Sequence, residues 1–252
     1  MAKNELKTVN EEKSLMTDQI PEYLRDKTTS RGAENVGSDD LVIPRLELVQ
    51  DLSPCRKKTD PSYIVGCEEG MMYNNVTREL YGASALVIPV YFRKEWLIWV
   101  DRDNGGGFRG AFPTEAEATA AMALLEDADN CEVIDTAQHF CLIVPEHGGK
   151  VEEVVVSMSK SKMKASRKWN SLIRINGGDS FGRIYRLSAV MQSNSKNQDY
   201  YSFDVAAAGF PTEEVYKRAE DLYNTISAGG VQVDRKFESA ESGESAGSKQ
   251  EY

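Results

Sequence analysis

Apolar and polar positions divide the chain into three regimes. Through residue 37 large apolar side chains are sparse and charges are mixed, as in NEEK and TTSRGAENVG. This stretch predicts a flexible N-terminal arm, because it cannot bury enough surface to offset its ordering entropy. Its one apolar island is IPEYL, from Ile20 to Leu24, which is suited to docking on a core or a partner. From Ser38 onward Leu41, Ile43, Leu46, Leu48 and Leu52 recur among polar neighbours, with Pro44 interrupting any regular element. A single globular domain is expected over residues 38–230. From Val231 the chain passes into ESAESGESAGSKQEY, a Ser/Gly/Glu tail with a net charge near −3 beyond Phe237, and residues 231–252 are expected to be a disordered acidic tail. There is no internal repeat.

Within the domain the period of the pattern switches between strand and helix. In MMYNNVTRELYG, Asn74-Asn75 and Gly82 mark turns between short extended pieces. Val87 to Phe92 and Trp96 to Val100 carry the strongest β signal, and Arg93-Lys94-Glu95 between them either turn the chain or continue one long strand. The glycine-rich DRDNGGGFRG then predicts a loop. Thr114 and Glu117 form a capping box ahead of EAEATAAMALLEDA, a run of strong helix formers whose alanines suit close packing on a sheet. Two hairpins follow. One pairs His139–Val144 with Val151–Ser157 and the other pairs FGRIYRLSAVMQ with YYSFDVAAAG, where Tyr201, Phe203 and Val205 share the buried face. The last helix is PTEEVYKRAEDLYNTISAGG, with Val215, Ala219, Leu222 and Ile226 on its apolar side. Together these predict an α+β fold: an antiparallel sheet or partly closed, OB-like barrel of about six to eight strands, with at least three flanking helices.

Composition and motif searches then narrow the function. The 252 residues are 40% hydrophobic and 28% charged, enough for a core, and no apolar run approaches the roughly 18 residues of a membrane span. The polar N-terminus reads as neither signal nor transit peptide, so a cytoplasmic protein without a membrane partner is expected. Cys55, Cys67, Cys131 and Cys141 contain no C-x-x-C pair, and the grouping Cys131, His139, Cys141 and His147 matches no common zinc spacing. No metal or other cofactor is expected. GGGFRG lacks the Lys-Ser/Thr of a phosphate-binding P-loop. GDSFG, Gly178 to Gly182, fits G-x-S-x-G but has a helix before it and a strand after it, the reverse of a nucleophile elbow; GESAG, Gly243 to Gly247, lies in the tail. The acidic pairs Asp39-Asp40, Glu68-Glu69, Glu152-Glu153 and Glu213-Glu214 read as surface or cap charges rather than converging metal ligands. A protein that is not an enzyme is expected.

The segment Lys160–Arg186 changes the picture most. It holds Lys160, Lys162, Lys164, Arg167, Lys168, Arg174, Arg183 and Arg186 against one acid, Asp179, in a chain whose net charge is −10. At 100° per residue Lys160, Lys164, Arg167, Lys168 and Arg174 fall within an arc of about 120°. The opposite arc collects Met158, Ala165, Trp169, Leu172 and Ile173, and Asn176-Gly177-Gly178 end the helix. A rigid cationic face on an acidic protein points to a polyanion, since such a row neutralises successive phosphates and releases their counterions. A solvated face paired with acids elsewhere is the alternative. Single-strand binders add aromatic faces for bases. Phe181, Arg183 and Tyr185 occupy alternate positions on the expected following strand, and Trp96, Trp99, Phe108 and Arg109 add aromatics and a cation around the glycine loop.

The strings IPEYLRD, RGAENVGSDDLVIPRLELVQDLSP, MYNNVTRELYG and SKSKMKASRKWNSLIR resemble a group of tailed-phage proteins associated with single-stranded DNA binding, over about residues 20–230. The design is also similar to that of the single-stranded DNA-binding RNA polymerase cofactors of N4-like phages. The resemblance implies a non-enzymatic protein of the host cytoplasm that coats or holds open DNA strands and recruits phage replication or transcription machinery. The resulting expectation is sequence-tolerant binding of single-stranded DNA, with Lys160, Lys162, Lys164, Arg167, Lys168, Arg174, Arg183, Arg186 and Arg109 on phosphates and Phe181, Tyr185 and Phe108 on bases. The acidic tail would recruit phage RNA polymerase or replication proteins, and a homo-oligomer is compatible with this role. The alternatives are a protein-interaction factor, such as a polymerase cofactor or assembly protein, docking its basic face on an acidic partner, and a strand-annealing recombination protein.

Overall fold

The computed structural model describes residues 42–101, 104–146, 148–194, 197–229 and 232–233. The arm expected over 1–37, residues 38–41, His147 and the tail from 234 onward lie outside the described residues. Strands are β1 (Val42–Ile43), β2 (Leu46–Leu48), β3 (Met72–Asn74), β4 (Leu80–Gly82), β5 (Ser84–Val100), β6 (Phe108–Phe112), β7 (Cys131–Ile143), β8 (Glu152–Ser159), β9 (Ile184–Ser193), β10 (Asp199–Gly209) and β11 (Gln232–Val233). Helices are α1 (Glu115–Met122), α2 (Met163–Asn176) and α3 (Glu213–Ser227). Gln232–Val233, assigned to the tail on composition, instead pair in parallel with Val42–Ile43.

β5 is the centre of the main sheet, whose order is β10-β9-β5-β7-β8 with β6 also on β5. β7 accompanies β5 from Val87 to Val100, whereas the opposite edge is shared: β9 pairs with Ser84–Val87 and β6 with Trp96–Trp99. Arg93-Lys94-Glu95 continue the strand rather than turning it, because each finds a lateral partner. Arg93 lies 5.1 Å over the Phe140 ring, Lys94 pairs with Asp135 at 3.1 Å and covers Trp96, and Glu95 is buried beside Arg93. The register slips between Pro89 and Tyr91, where proline has no N–H to give the ladder. All pairings in this sheet are antiparallel, and β10 and β8 do not meet, so the fold is α+β without a closed barrel. A second antiparallel sheet, β2-β3-β4, stands beside it.

Both outer edges of the main sheet are engaged. The link between β1 and β2 runs along β8, with the Val155 amide donating to Pro44 O at 2.8 Å. On β10 a single side chain does the same: Gln50 Nε2 donates to Tyr201 O and accepts from Tyr201 N through Oε1, each at 2.8 Å.

The two faces carry different cores. α2 lays Ala165 and Trp169 on Val87, Ala137, Cys141, Val156, Met158, Tyr185 and Leu187. α3 lays Ala219, Leu222 and Ile226 on Ile88, Val90, Phe140, Leu142 and Val155. Cover on both faces explains why β5, β7 and β8 carry unbroken apolar runs such as VIPV, FCLI and VVV instead of alternating. α1 stops at Met122, although helix-forming residues continue to Ala128. Ala118 is its one buried residue and Leu124 is 87% exposed, so further turns would bury nothing. Asp127 is meanwhile drawn to Arg109 at 2.7 Å. Its start follows the capping box, with Thr114 Oγ1 accepting from the Glu117 amide at 3.2 Å. No helix among the described residues is long and apolar enough to cross a membrane.

Candidate nucleic-acid interface

α2 is a 14-residue helix with four cations and no acid. Trp169 fixes its phase: the indole is fully buried, stacks on His139 at 4.5 Å and 17°, and meets Tyr185 edge-on at 6.0 Å. His139 Nε2 is 2.9 Å from Ser166 Oγ, a second tie between helix and sheet. Burial alone holds the His139 imidazole neutral, pushing its pKa down from 6.5 to about 3. With Ala165, Ser166 and Trp169 turned inward, Lys164, Arg167, Lys168 and Arg174 are exposed. From Lys164 to Arg174 the ridge spans about 15 Å.

Not all the expected cations are available on that ridge. Lys164, Arg167 and Arg174 have no ion pair among the described residues. Lys168 pairs with Asp204 of β10 at 2.5 Å, and this hydrogen bond holds the Asp204 carboxyl below its ordinary range. Lys160 and Lys162 fall outside α2, in a 3-10 turn whose tighter winding breaks the expected helical phase. Lys160 pairs with Glu132 at 2.8 Å. Lys162, expected on a phosphate, is instead buried, its ammonium 5.8 Å from the centre of the Phe203 ring. Arg186 alternates with Tyr185 and Leu187, which serve the α2 core, and pairs with Glu146 in a separate cleft.

The expected stacking platform is corrected too. Phe181 and Tyr185 do not share an exposed face, because β9 begins only at Ile184 and Phe181 sits in a 3-10 turn before it. Phe181 is buried under α3, 5.0 Å from the Tyr216 ring, while Tyr185 is buried under α2. Phe108 packs on Trp99 at 5.4 Å, in the cluster of Leu97 and Ile134. Arg109, beside it, pairs with Asp127, which raises the guanidinium pKa and lowers that of the carboxyl. Phe108 and Arg109 line neither of the clefts at the ends of α2's exposed ridge.

Each end of the ridge opens on a cleft. At the N-terminal end Lys160, Lys164 and Arg167 face Glu132 and Asp135 across about 290 Å³. At the C-terminal end a cleft of about 370 Å³ is lined by residues that include Asn176, Arg183 and Phe210. Phe210 is 72% exposed, and Arg183 lies 4.8 Å over its ring. Sequence reading passed over Phe210. Its signal was position, a large aromatic between a strand end and the Pro-Thr that opens a helix, where neither element's buried face can take it.

The sequence Gly178–Gly182 follows α2 and precedes β9, and the Ser180 hydroxyl donates to Val90 O at 3.1 Å. His139 and Cys141 are core residues, and no group of three His, Cys, Asp or Glu side chains among the described residues is arranged to hold a metal ion.

Comparison with known proteins gives no match among curated proteins and none among solved structures. A family model does match, over residues 10–232, and its description is Pam3 phage gp34-like protein. That span takes in the basic helix and both hairpins, and so the chain belongs to the Pam3 phage gp34-like family.

Proposed function

We propose that this phage protein binds single-stranded DNA without base-sequence preference in the host cytoplasm, using the outer ridge of α2 as a track for phosphates. The observation that carries the reading is the acid-free helix itself, with Lys164, Arg167 and Arg174 exposed and without ion pairs among the described residues on a chain of net charge −10. Because an exposed ion pair contributes only about 0–1 kcal/mol, leaving these cations apart from the protein's own carboxylates costs little and keeps them ready for an external polyanion. Lys168 is held off this track by Asp204. The role is structural: the protein holds strands open for replication, recombination or transcription, and its acidic C-terminus recruits the phage machinery.

The test is fluorescence anisotropy of labelled oligo-dT of about 30 nucleotides beside duplex of equal length, at low and moderate salt. Tight single-strand binding, weaker on duplex, is expected. Lys164→Ala with Arg167→Ala should reduce the slope of log affinity against log salt by about 1.4, since each single-strand phosphate contact contributes about 0.7. Absence of binding at low salt would overturn the reading and favour a basic face that docks on an acidic protein. Faster pairing of complementary strands in its presence would identify strand annealing instead.

A further inference from the structure

Phosphate neutralisation along α2 leaves Phe210 unexplained. A single aromatic left in water is ordinary on a protein surface; what marks Phe210 is the arrangement of the groups around it. Here the arrangement is fixed from the core outward. Tyr185, buried under α2, accepts from Asn176 Nδ2 at 3.0 Å; Asn176 Oδ1 accepts from Arg183 Nη1 at 2.5 Å; and the guanidinium so anchored lies on the Phe210 ring. One face of the ring is therefore covered by a cation, and its 72% exposure leaves the other open. Beside it lies the cleft of about 370 Å³, within the size range of small-molecule sites. Asp179, the carboxylate on its lining, already accepts from Tyr216 Oη at 2.6 Å. Gly177 and Gly178, at φ 65° and 73°, form the rim, and a side chain there would meet nothing within 4 Å, so the approach is unobstructed. Arg174 stands on the last turn of α2, three residues before Gly177.

A ligand that presents a flat π face and an anionic group within one residue's length is a nucleotide. We propose that the cleft takes one unpaired base of the bound strand, stacked on the open face of Phe210, with the adjoining phosphates on Arg183 and Arg174. This rests on the single-strand reading above and adds to it a base contact at one end of the phosphate track. Stacking tolerates any base, so the contact distinguishes unpaired from paired strands without reading sequence.

The experiment compares oligo-dT with an abasic oligomer of the same length, which keeps the phosphates and removes every base. Wild type, Phe210→Ala and Phe210→Trp are titrated against both, with circular dichroism to confirm that each variant is folded. Wild type should bind oligo-dT more tightly than the abasic strand. Phe210→Ala should lose on the order of tenfold on oligo-dT and nothing on the abasic strand, and Phe210→Trp should retain the preference. If wild type prefers oligo-dT and Phe210→Ala keeps that preference, bases are held elsewhere and the inference fails while single-strand binding stands. Equal losses on both strands would reduce Phe210 to a support for Arg183, and equal wild-type affinity for both would leave phosphates alone; either overturns it. Failure of wild type to bind either strand would remove the underlying reading as well.

Discussion

The histidine beneath α2 makes stability fall on mild acidification. His139 is neutral in the folded protein down to about pH 3, while in the unfolded chain it takes up a proton below about 6.5. Between these values the unfolded state binds more protons, so lowering the pH favours unfolding by about 1.4 kcal/mol per unit. From pH 7 to pH 5 the loss is about 2 kcal/mol, and the size hardly changes for any folded value below 4. The carboxyls held below their ordinary range, Asp60, Asp127 and Asp204, lose their contribution only below about 3.8 and so stay out of this window. Urea unfolding followed by tryptophan fluorescence at pH 7 and pH 5 reads the effect, since Trp169 is stacked on the ring concerned. His139→Gln should be less stable at pH 7 but should lose less of its stability than wild type on moving to pH 5. If wild type and variant fall by the same amount, the buried neutral imidazole is not the cause and the argument is refuted.

Two further outcomes follow from the contacts of α2. Asp204→Asn releases Lys168 from its only acid partner among the described residues, which should steepen the salt dependence of oligo-dT binding by about 0.7 and cost no more than about 1 kcal/mol of stability. An unchanged slope would place Lys168 outside the phosphate track. Trp169→Ala removes the largest fully buried side chain between helix and sheet and should cost about 3–5 kcal/mol in urea unfolding; a cost under 1 kcal/mol would mean that α2 is held by something other than this core.

Elements whose local chemistry and packing agree were legible in the sequence. Thr114 with Glu117 caps its helix as expected, the last helix starts just after its proline with Glu213 and Glu214 in the first turn, and both hairpins lie where the turn residues put them. The helical phase of α2 was legible because Ala165 and Trp169 recur four residues apart on one side. What stayed open or failed depended on neighbours distant in sequence. Nothing local decides between a turn and a continued strand at Arg93-Lys94-Glu95, where Arg93 meets Phe140 and Lys94 meets Asp135, nor shows that the end of the alanine-rich run will lack anything to cover Leu124. Phe181 and Tyr185 keep the two-residue spacing of a strand, yet a 3-10 turn rotates one of them to the other face of the sheet. Charge was visible in the same way: the row of cations could be counted, but the carboxylates that engage Lys160, Lys168 and Arg186 come from β7, β10 and the loop before β8.

The clip between Gln50 and Tyr201 joins positions 151 residues apart. It gives folding an order in time. During synthesis the segment holding β1 and β2 emerges before its seat along β8, and well before the β10 backbone that Gln50 grips. Until then this segment has the pairing of β2 with β3 but not its hold on the main sheet. Closure of such distant pairs carries a large loop entropy and belongs to slow, late steps. A chain truncated before β10 would therefore lose more than its last strands: Gln50 would lose the backbone that it grips.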